Sequence, residues 1–397
     1  MKKKLFICSD RSFPRGDAGA NRILYMAKAL IDKGWDVFVI SIGRNDDRFY
    51  NSDQGCYIYE GIKYFNIKTS SNRIVRSVEH NFLDGRRVVS LLKKFGVCNQ
   101  DRILLYSSAY LFTSALLAFS QKNSIKMACD VVEWHQPFQY KKGKKDISYI
   151  LYKSFFNKLL PKIHNIIAIS RYLEEHFEKV GCNVLTIPIY IDVDKRNEPI
   201  YSLNGESINL IYPGNPYRKD DLLSMLSAIN QLPNDKKEKV VFHLTGVSLQ
   251  LLRQCIPGNE VILEKLIESG NVIVHSWMEY DDLIKLYSKI DFALIARPIN
   301  IVTKANFPSK VPELFNKGIP VIINRVGDIA EYLSDGYDSI MYDGEGVEKC
   351  KEAILRVLSL SENERKMLRR NAYISAYEKF DYRNCSTDLD RFFSTLV

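Results

Sequence analysis

The sequence predicts an α/β protein of two lobes, each a doubly wound parallel sheet. Three observations carry this expectation. Short apolar runs alternate with helical stretches along nearly the whole chain, the pattern of β-α-β units whose strands are buried on both faces. A chain of 397 residues with 46% hydrophobic content is long enough for two ordinary domains, each with its own core. A polar stretch at 192–207, with Asn197, Pro199, Asn204 and Gly205, divides the alternating segments into two sets and reads as a linker.

The first lobe opens on a strand at Leu5 to Cys8, a loop from Ser9 to Ala20 and a helix from Asn21 to Lys33. Gly34 caps that helix and Trp35 to Ser41 forms the second strand. Such a unit, with glycines in its first loop, places a phosphate at a helix N-terminus. Gly16 and Gly19 do not have the dinucleotide spacing, which argues against a nicotinamide or flavin site. Further strands follow at Ile62 to Ile67, Arg102 to Ser107 and Lys126 to Val132, with a helix at Tyr110 to Ser120. The last of these strands delivers Glu133, Trp134 and His135 at its carboxyl end, where α/β active sites gather. A lone His is often a satisfied structural group. Beside Trp, Glu and the turning Pro137, His135 is also a functional candidate. The cationic loop Tyr140 to Lys145 leads into an apolar-aromatic helix, Ile147 to Leu160. That pair is either a core helix behind a solvated loop or a surface that rests on an anionic bilayer. A strand from Val184 to Ile191 closes the lobe.

The second lobe begins with a strand at Ile208 to Pro213 and the turn Gly214-Asn215. Arg218 and Lys219 follow at a helix start, as a diphosphate clamp or as an exposed basic pair. Strands at Val240 to Gly246 and Val272 to Trp277, a helix at Asp281 to Tyr287 and a strand from Asp291 ending at Arg297 come next. Residues 307–323 read as loop, short helix, glycine stop and buried strand. Ser309 is the N-cap, Pro312 lies in the first turn, Gly318 is the left-handed C-cap, and Val321 to Ile323 is the strand. A helix start at the carboxyl edge of a parallel sheet suits an anion. Glu313 near that start either complements the helix dipole or accepts hydrogen bonds from a cis-diol such as a ribose.

Composition narrows the class further. Eight scattered cysteines without a C-x-x-C pair argue against a disulfide framework or a zinc site and fit a reducing compartment. The N-terminal apolar run ends at Asp10, so it is a strand and not a signal peptide, and the longest apolar stretch, Ala109 to Phe119, is short of a membrane span. The expectation is a protein that is soluble or peripheral to a membrane. Its net charge of +9 is uneven: residues 1–190 hold 30 Lys and Arg against 17 Asp and Glu, a balance of +13 that leaves −4 for the rest. A basic half faces an anionic partner or is a solvated face. No nucleic-acid reading module accompanies it.

The pattern Pro308-Ser309-Lys310-x-x-Glu313-x-x-x-x-Gly318-x-Pro320-Val321-Ile322 resembles the donor-site signature of retaining glycosyltransferases of family 4. The resemblance extends over the chain and implies the GT-B fold, two Rossmann-like lobes facing a central cleft. It makes 1–191 the acceptor-side domain, 208–380 the nucleotide-sugar domain, and 381–397 a helix returning to the first. By the same resemblance Glu313 holds the ribose, and Asn306, Pro308, Ser309 and Lys310 lie along the diphosphate. The loop of Gly16 and Gly19 covers the donor phosphates. Gly214 makes the turn that carries Lys219, with Arg218 sharing its role, and Asn215 stands where an Arg is usual. Trp277 and Met278 belong to the base-binding segment. Asp130-x-x-Glu133-Trp134-His135 is similar to an acceptor-side segment whose His lies near the transferred sugar. One departure is plain. The first of the family's two glutamates is Ala305 here, leaving Arg297, Lys304 and Asn306 as polar groups in that loop.

The resemblance thus implies a cytoplasmic, retaining, metal-independent transferase without a cofactor. It moves a sugar from a nucleotide-sugar, UDP-linked, to a hydroxyl of a glycan. The acceptor is lipid-linked, at the inner membrane face, in bacterial surface polysaccharide assembly. In this family the leaving phosphate takes the acceptor's proton. A nucleotide-sugar epimerase and a catalytically weak partner in a glycan-assembly complex are the alternatives, the second encouraged by Ala305 and Asn215.

Overall fold

A computed structural model describes the chain except for residues 1, 2, 15–17, 44, 73, 74, 77, 78, 80, 81, 194–200, 202–206, 217, 218 and 397 and the side chain of Tyr280. The chain divides into two compact units. One is Met1–Asp192 with Asp381–Val397, and the other is Val193–Phe380. Most of the expected linker lies outside the described residues.

The first unit is built on a nine-stranded sheet. In chain order its strands are β1 (Lys4–Ser9), β2 (Asp36–Ile42), β3 (Tyr50–Asn51), β4 (Cys56–Tyr59), β5 (Ile62–Ile67), β6 (Arg102–Tyr106), β7 (Lys126–Val131), β8 (Asn165–Ala168) and β9 (Asn183–Thr186). Their spatial order is β3-β4-β5-β2-β1-β6-β7-β8-β9. From β5 to β9 every pairing is parallel, while β3-β4-β5 is an antiparallel edge that the sequence did not announce. Strand order reverses between β1 and β6. That is the switch point where open α/β sheets bind ligands, beyond the strands' carboxyl ends.

Three expected boundaries shift. The first helix is Ala18–Ile31, so the loop before it is shorter than expected and Gly19 and Ala20 are buried inside the first turn. The helix expected at 147–160 is α-helical over Ile147–Ser154 and then widens into a π turn at Phe155–Leu159. Phe155 and Phe156 are adjacent and both buried, and the wider turn lets both rings face inward. The last strand stops at Thr186, well before Ile191, and Ile191 instead bridges to Asp381.

Ser386–Ser394 is a helix whose Leu389, Phe392 and Phe393 share the core of Leu5, Ile7 and Val37. Trp35 reaches the same helix, donating from Nε1 to Asp390 at 2.8 Å and packing edge-on against Phe393.

The second unit has six parallel strands: β10 (Ile208–Pro213), β11 (Val240–Thr245), β12 (Val272–His275), β13 (Phe292–Ile295), β14 (Val321–Asn324) and β15 (Ser339–Tyr342). Their order is β12-β11-β10-β13-β14-β15, which puts the switch point between β10 and β13. Val321 to Ile323 are wholly buried between β13 and β15, as a near-continuous apolar run requires.

Candidate functional site

At the switch point of the second unit the strand ends are laced together. Gly214, at φ +85°, ends β10, and its N–H donates to Thr245 at 2.8 Å. The N–H of Gly246 donates to Ser276 at 2.7 Å. A Cβ on Gly246 would meet the Gly214 backbone at an ordinary contact distance of 3.6 Å, so it is the left-handed φ of the two turns, +85° and +70°, that calls for glycine. The result is a ledge of backbone along three strand ends, with Trp277, 77% exposed, just beyond the third. On the other side of the switch point, Asn324 accepts from the Arg297 N–H at 2.9 Å and donates to the Arg297 carbonyl at 2.8 Å. That pair fixes where the Arg297 side chain starts.

Asp220 is the hub of the charges gathered there. Its buried carboxylate pairs with Lys310 Nζ at 3.0 Å and with Arg297 Nε at 3.4 Å, and it accepts the Tyr212 hydroxyl. Lys310 also lies over the Tyr212 ring, 4.7 Å from its centroid. Burial acts upward on the Asp220 carboxyl, but Lys310, Arg297 and the Tyr212 hydroxyl outweigh it and hold the group below the usual carboxylate range. Burial pulls the Arg297 guanidinium down, and Asp220 opposes that. Arg297 donates from Nη2 to Asn306 at 3.0 Å, while its Nη1 is buried and makes no hydrogen bond among the described residues. Two cations thus meet one carboxylate. Lys310 also faces Glu313, so charge is shared among these groups, while one guanidinium nitrogen of the buried Arg297 is unused, and a buried donor in that state calls for an acceptor.

Glu313 is one turn beyond Lys310. Its surface is open to solvent, yet protein crowds around it, as at the wall of a concave surface. That crowding raises its carboxyl above the usual range, and Lys310 acts against the rise. The helix that holds it, Lys310–Phe315, has only six residues, and Ser309 has helical backbone angles and makes no side-chain cap. Ser309 as N-cap is therefore a correction, because a helical ψ turns its hydroxyl away from the N–H groups it would serve. At the other end Gly318 closes the helix at φ +60°, donating to Phe315 while Ile319 donates to Leu314, as expected.

In the first unit His135 is held from both sides. Its Nε2 is 2.9 Å from Glu133 Oε2 and its Nδ1 is 2.6 Å from the Tyr140 hydroxyl. The Tyr152 ring stacks on it at 4.3 Å, and the Tyr152 hydroxyl accepts its backbone N–H and donates to the Glu133 carbonyl. Trp134 points into a cluster of Phe156, Tyr172 and His176. Asp130 is taken by Arg22 in a buried two-point pair at 2.7 and 2.9 Å, and Arg22 also donates to the carbonyls of Ile187 and Pro188.

Two family descriptions match the chain: "Glycosyltransferase Family 4" over residues 19–195 and "Glycosyl transferases group 1" over residues 194–375. The chain belongs to the family-4-like glycosyltransferases of GT-B fold. An uncharacterized glycosyltransferase of Methanocaldococcus jannaschii is 22% identical over 270 residues, and that match spans 64% of this chain and 64% of the relative. Among solved structures, sucrose-phosphate synthase from Thermosynechococcus elongatus superposes with a TM-score of 0.72 at 14% identity, covering 100% of this chain and 99% of that one. Anabaena HepE in complex with UDP-glucose superposes with a TM-score of 0.65 at 13% identity, covering 99% and 100%.

Within this glycosyltransferase the expected donor-side residues fall into three groups. Gly214, Arg297, Asn306 and Lys310 converge at the switch point, with Glu313 beside Lys310 and buried Pro308 before it. Asn215 and Trp277 are exposed, and Met278 and Lys219 half-buried, on the loops after β10 and β12. Gly16 and Arg218 lie outside the described residues, and Gly19 is part of a helix rather than of a loop. Ala305 is fully buried at the end of the helix Ile301–Lys304, so the absent glutamate leaves no gap on the surface. Sequence reasoning missed Asp220, Tyr212 and Tyr140. Asp220 had a signal, an acid directly after the basic pair. Among the described residues no group of three or more His, Cys, Asp or Glu is placed to hold a metal, and no helix is long and apolar enough to cross a membrane.

Proposed function

We propose that this glycosyltransferase moves a sugar, with retention, from a UDP-linked donor to a hydroxyl of a lipid-linked glycan in bacterial surface polysaccharide assembly. The observation that carries the reading is the gathering of Lys310 and Arg297 on Asp220 at the switch point of the second unit, with one guanidinium nitrogen unused. The diphosphate lies along the Gly214 ledge, with Lys310, Lys219 and the unused Nη1 of Arg297 as its counter-charges, Arg218 adding to them. Glu313 accepts the ribose hydroxyls, and the base sits by Trp277 and Met278. The HepE structure with UDP-glucose supports a uridine donor.

The chemistry rests on where charge develops. As the bond to the anomeric carbon stretches, negative charge grows on the leaving diphosphate, and cations already fixed in place stabilise it without reorganising. Side chains carry that role, so the reaction is metal-independent in this reading, with no cofactor. The leaving phosphate takes the acceptor's proton. The enzyme works in the cytoplasm, peripheral to the inner face of the membrane. Buried Ala305 favours one rival, a catalytically weak partner, because a carboxylate that would hold sugar hydroxyls is missing.

The test is nucleotide release from a panel of UDP-, GDP- and ADP-sugars, with and without glycoside acceptors, in the presence of EDTA. Acceptor-stimulated release of UDP with retained anomeric configuration is expected. Donor binding without release supports the weak-partner reading, and release of a free epimerised sugar nucleotide supports an epimerase.

A further inference from the structure

The family resemblance puts the acceptor on the first unit; we propose that there the Tyr140 hydroxyl, on the wall of the 320 Å³ cavity at the switch point, orients the attacking hydroxyl group of a bound saccharide unit. This rests on the transfer reaction proposed above and names the group that positions its acceptor.

The cavity lies beyond the carboxyl ends of β1 and β6 and is lined by Asp10, Arg11, Tyr110, Tyr140, Ser148 and Tyr152 among others. Its volume lies at the lower end of small-ligand pockets. Its lining has the two things a sugar needs: aromatic rings for the C–H faces, and a carboxylate, a guanidinium and hydroxyls for the ring's O–H groups. The carboxylate is preset. Asp10 accepts the Ser107 hydroxyl at 2.7 Å from the end of the neighbouring strand and lies 3.8 Å from Arg11 Nε.

His135 was the residue expected nearest the sugar, yet both its ring nitrogens are engaged within the unit. Glu133 as a carboxylate can only accept, so in the neutral ring Nε2 carries the proton and Nδ1 is the acceptor. Tyr140 therefore donates its hydroxyl proton to Nδ1. Burial, with Glu133, Asp146 and Tyr149 nearby, pushes that phenol up to about 12, so it keeps its proton at neutral pH. With its proton directed to His135, the oxygen of Tyr140 has lone pairs left to accept a hydrogen bond from the cavity it lines. The chain Tyr140 to His135 to Glu133 polarises in one direction and strengthens that acceptor. No proton needs to leave Tyr140. Its part is to fix the hydroxyl's direction, and His135 and Glu133 are positioning residues that act through it.

The test uses saturation-transfer NMR on the full chain with methyl α- and β-glucoside, galactoside, mannoside and N-acetylglucosaminide as probes. At least one glycoside should receive saturation from the wild type, and Tyr140→Phe should weaken its binding about fivefold, as the loss of one hydrogen bond does. Ser148→Ala, also in the cavity lining, should weaken it too and serves if Tyr140→Phe does not fold. UDP binding by calorimetry should be the same in wild type and variants. Where a donor is turned over, Glu133→Gln should raise the acceptor KM more than it lowers kcat. Absence of saturation for every glycoside, or equal binding by wild type and folded variants, overturns the proposal. The glycoside measurement needs no donor, so failure of every nucleotide-sugar to react would count against the proposed function and not against this cavity.

Discussion

Glu313 combines an open surface with a carboxyl raised by the protein around it, and that combination makes its role testable by pH. If it accepts the ribose hydroxyls, the ionised form is the one that binds. Its folded pKa is raised, so donor affinity should fall on acidification from a higher pH than an ordinary carboxylate would give. Glu313→Gln should weaken donor binding by about 1–3 kcal/mol and remove that pH dependence. Calorimetry across pH 4 to 8 checks both. Asp220 has the opposite sign. Its pKa is depressed in the fold, so the stability it contributes is present above the unfolded value and is lost as pH falls through the folded one. Asp220→Asn leaves the buried Arg297 without its counter-charge, and a loss on the order of 3–5 kcal/mol is expected in denaturant unfolding. A loss under about 1 kcal/mol would mean that Arg297 has other support. Glu313 and Arg297 were legible because each stands at a recognisable place, near a helix start or at a strand end. Asp220 offered only a local signal, the acid after the basic pair, since its meaning comes from Lys310 and Arg297, which are far away along the chain.

At the scale of elements, apolar runs located the strands well and helix starts less well. Val321 to Ile323 could only be a doubly buried strand, but nothing local separates Ala18 in a helix from Ala18 in a loop. The π turn at Phe155–Leu159 was equally hidden, because its cause is the packing of Phe156 against Trp134, His176 and Phe177. Gly318 shows what a legible element demands. It sits at φ +60°, and a Cβ there would fall 2.5 Å from the Tyr201 hydroxyl. Gly34 also has positive φ, +86°, but a Cβ there would meet nothing within 4 Å. Gly34→Ala should therefore cost only the left-handed strain, about 1–2 kcal/mol, and Gly318→Ala clearly more. Thermal unfolding of the two variants side by side checks this, and equal losses would show that Tyr201 moves aside freely.

For the whole molecule, two sheets and a crossing C-terminal segment were legible from the alternation of elements and from the family resemblance, whereas the charge asymmetry had two readings that sequence could not separate. The structure bears on the choice. Lys141, Lys142, Lys144 and Lys145 line one loop and all four are exposed, and Lys153 and Lys158 are exposed on the helical stretch behind them. Asp146, the one acid in that run, is occupied in capping the helix by accepting the Ser148 N–H. Between these cations stand apolar groups that a core helix would have buried: Ile147 at 74% exposure, Ile150 at 50% and, just upstream, Phe138 at 59%. Lysines around exposed apolar side chains suit the surface of an anionic bilayer, where each cation contributes about 1 kcal/mol and the apolar groups enter the headgroup boundary. The attraction should fade as salt rises, since screening shortens its reach to about 8 Å at physiological ionic strength. Co-sedimentation with phosphatidylserine-containing vesicles should therefore pellet the wild type at low salt and progressively less at high salt. Changing Lys141, Lys142, Lys144 and Lys145 to Ser should abolish most of the pelleting, while Ile147→Ser with Ile150→Ser should leave a weaker, more salt-sensitive attachment. Equal pelleting of the wild type and the four-lysine variant would mean that another face makes the contact. Pelleting indifferent to salt would mean that charge does not drive it.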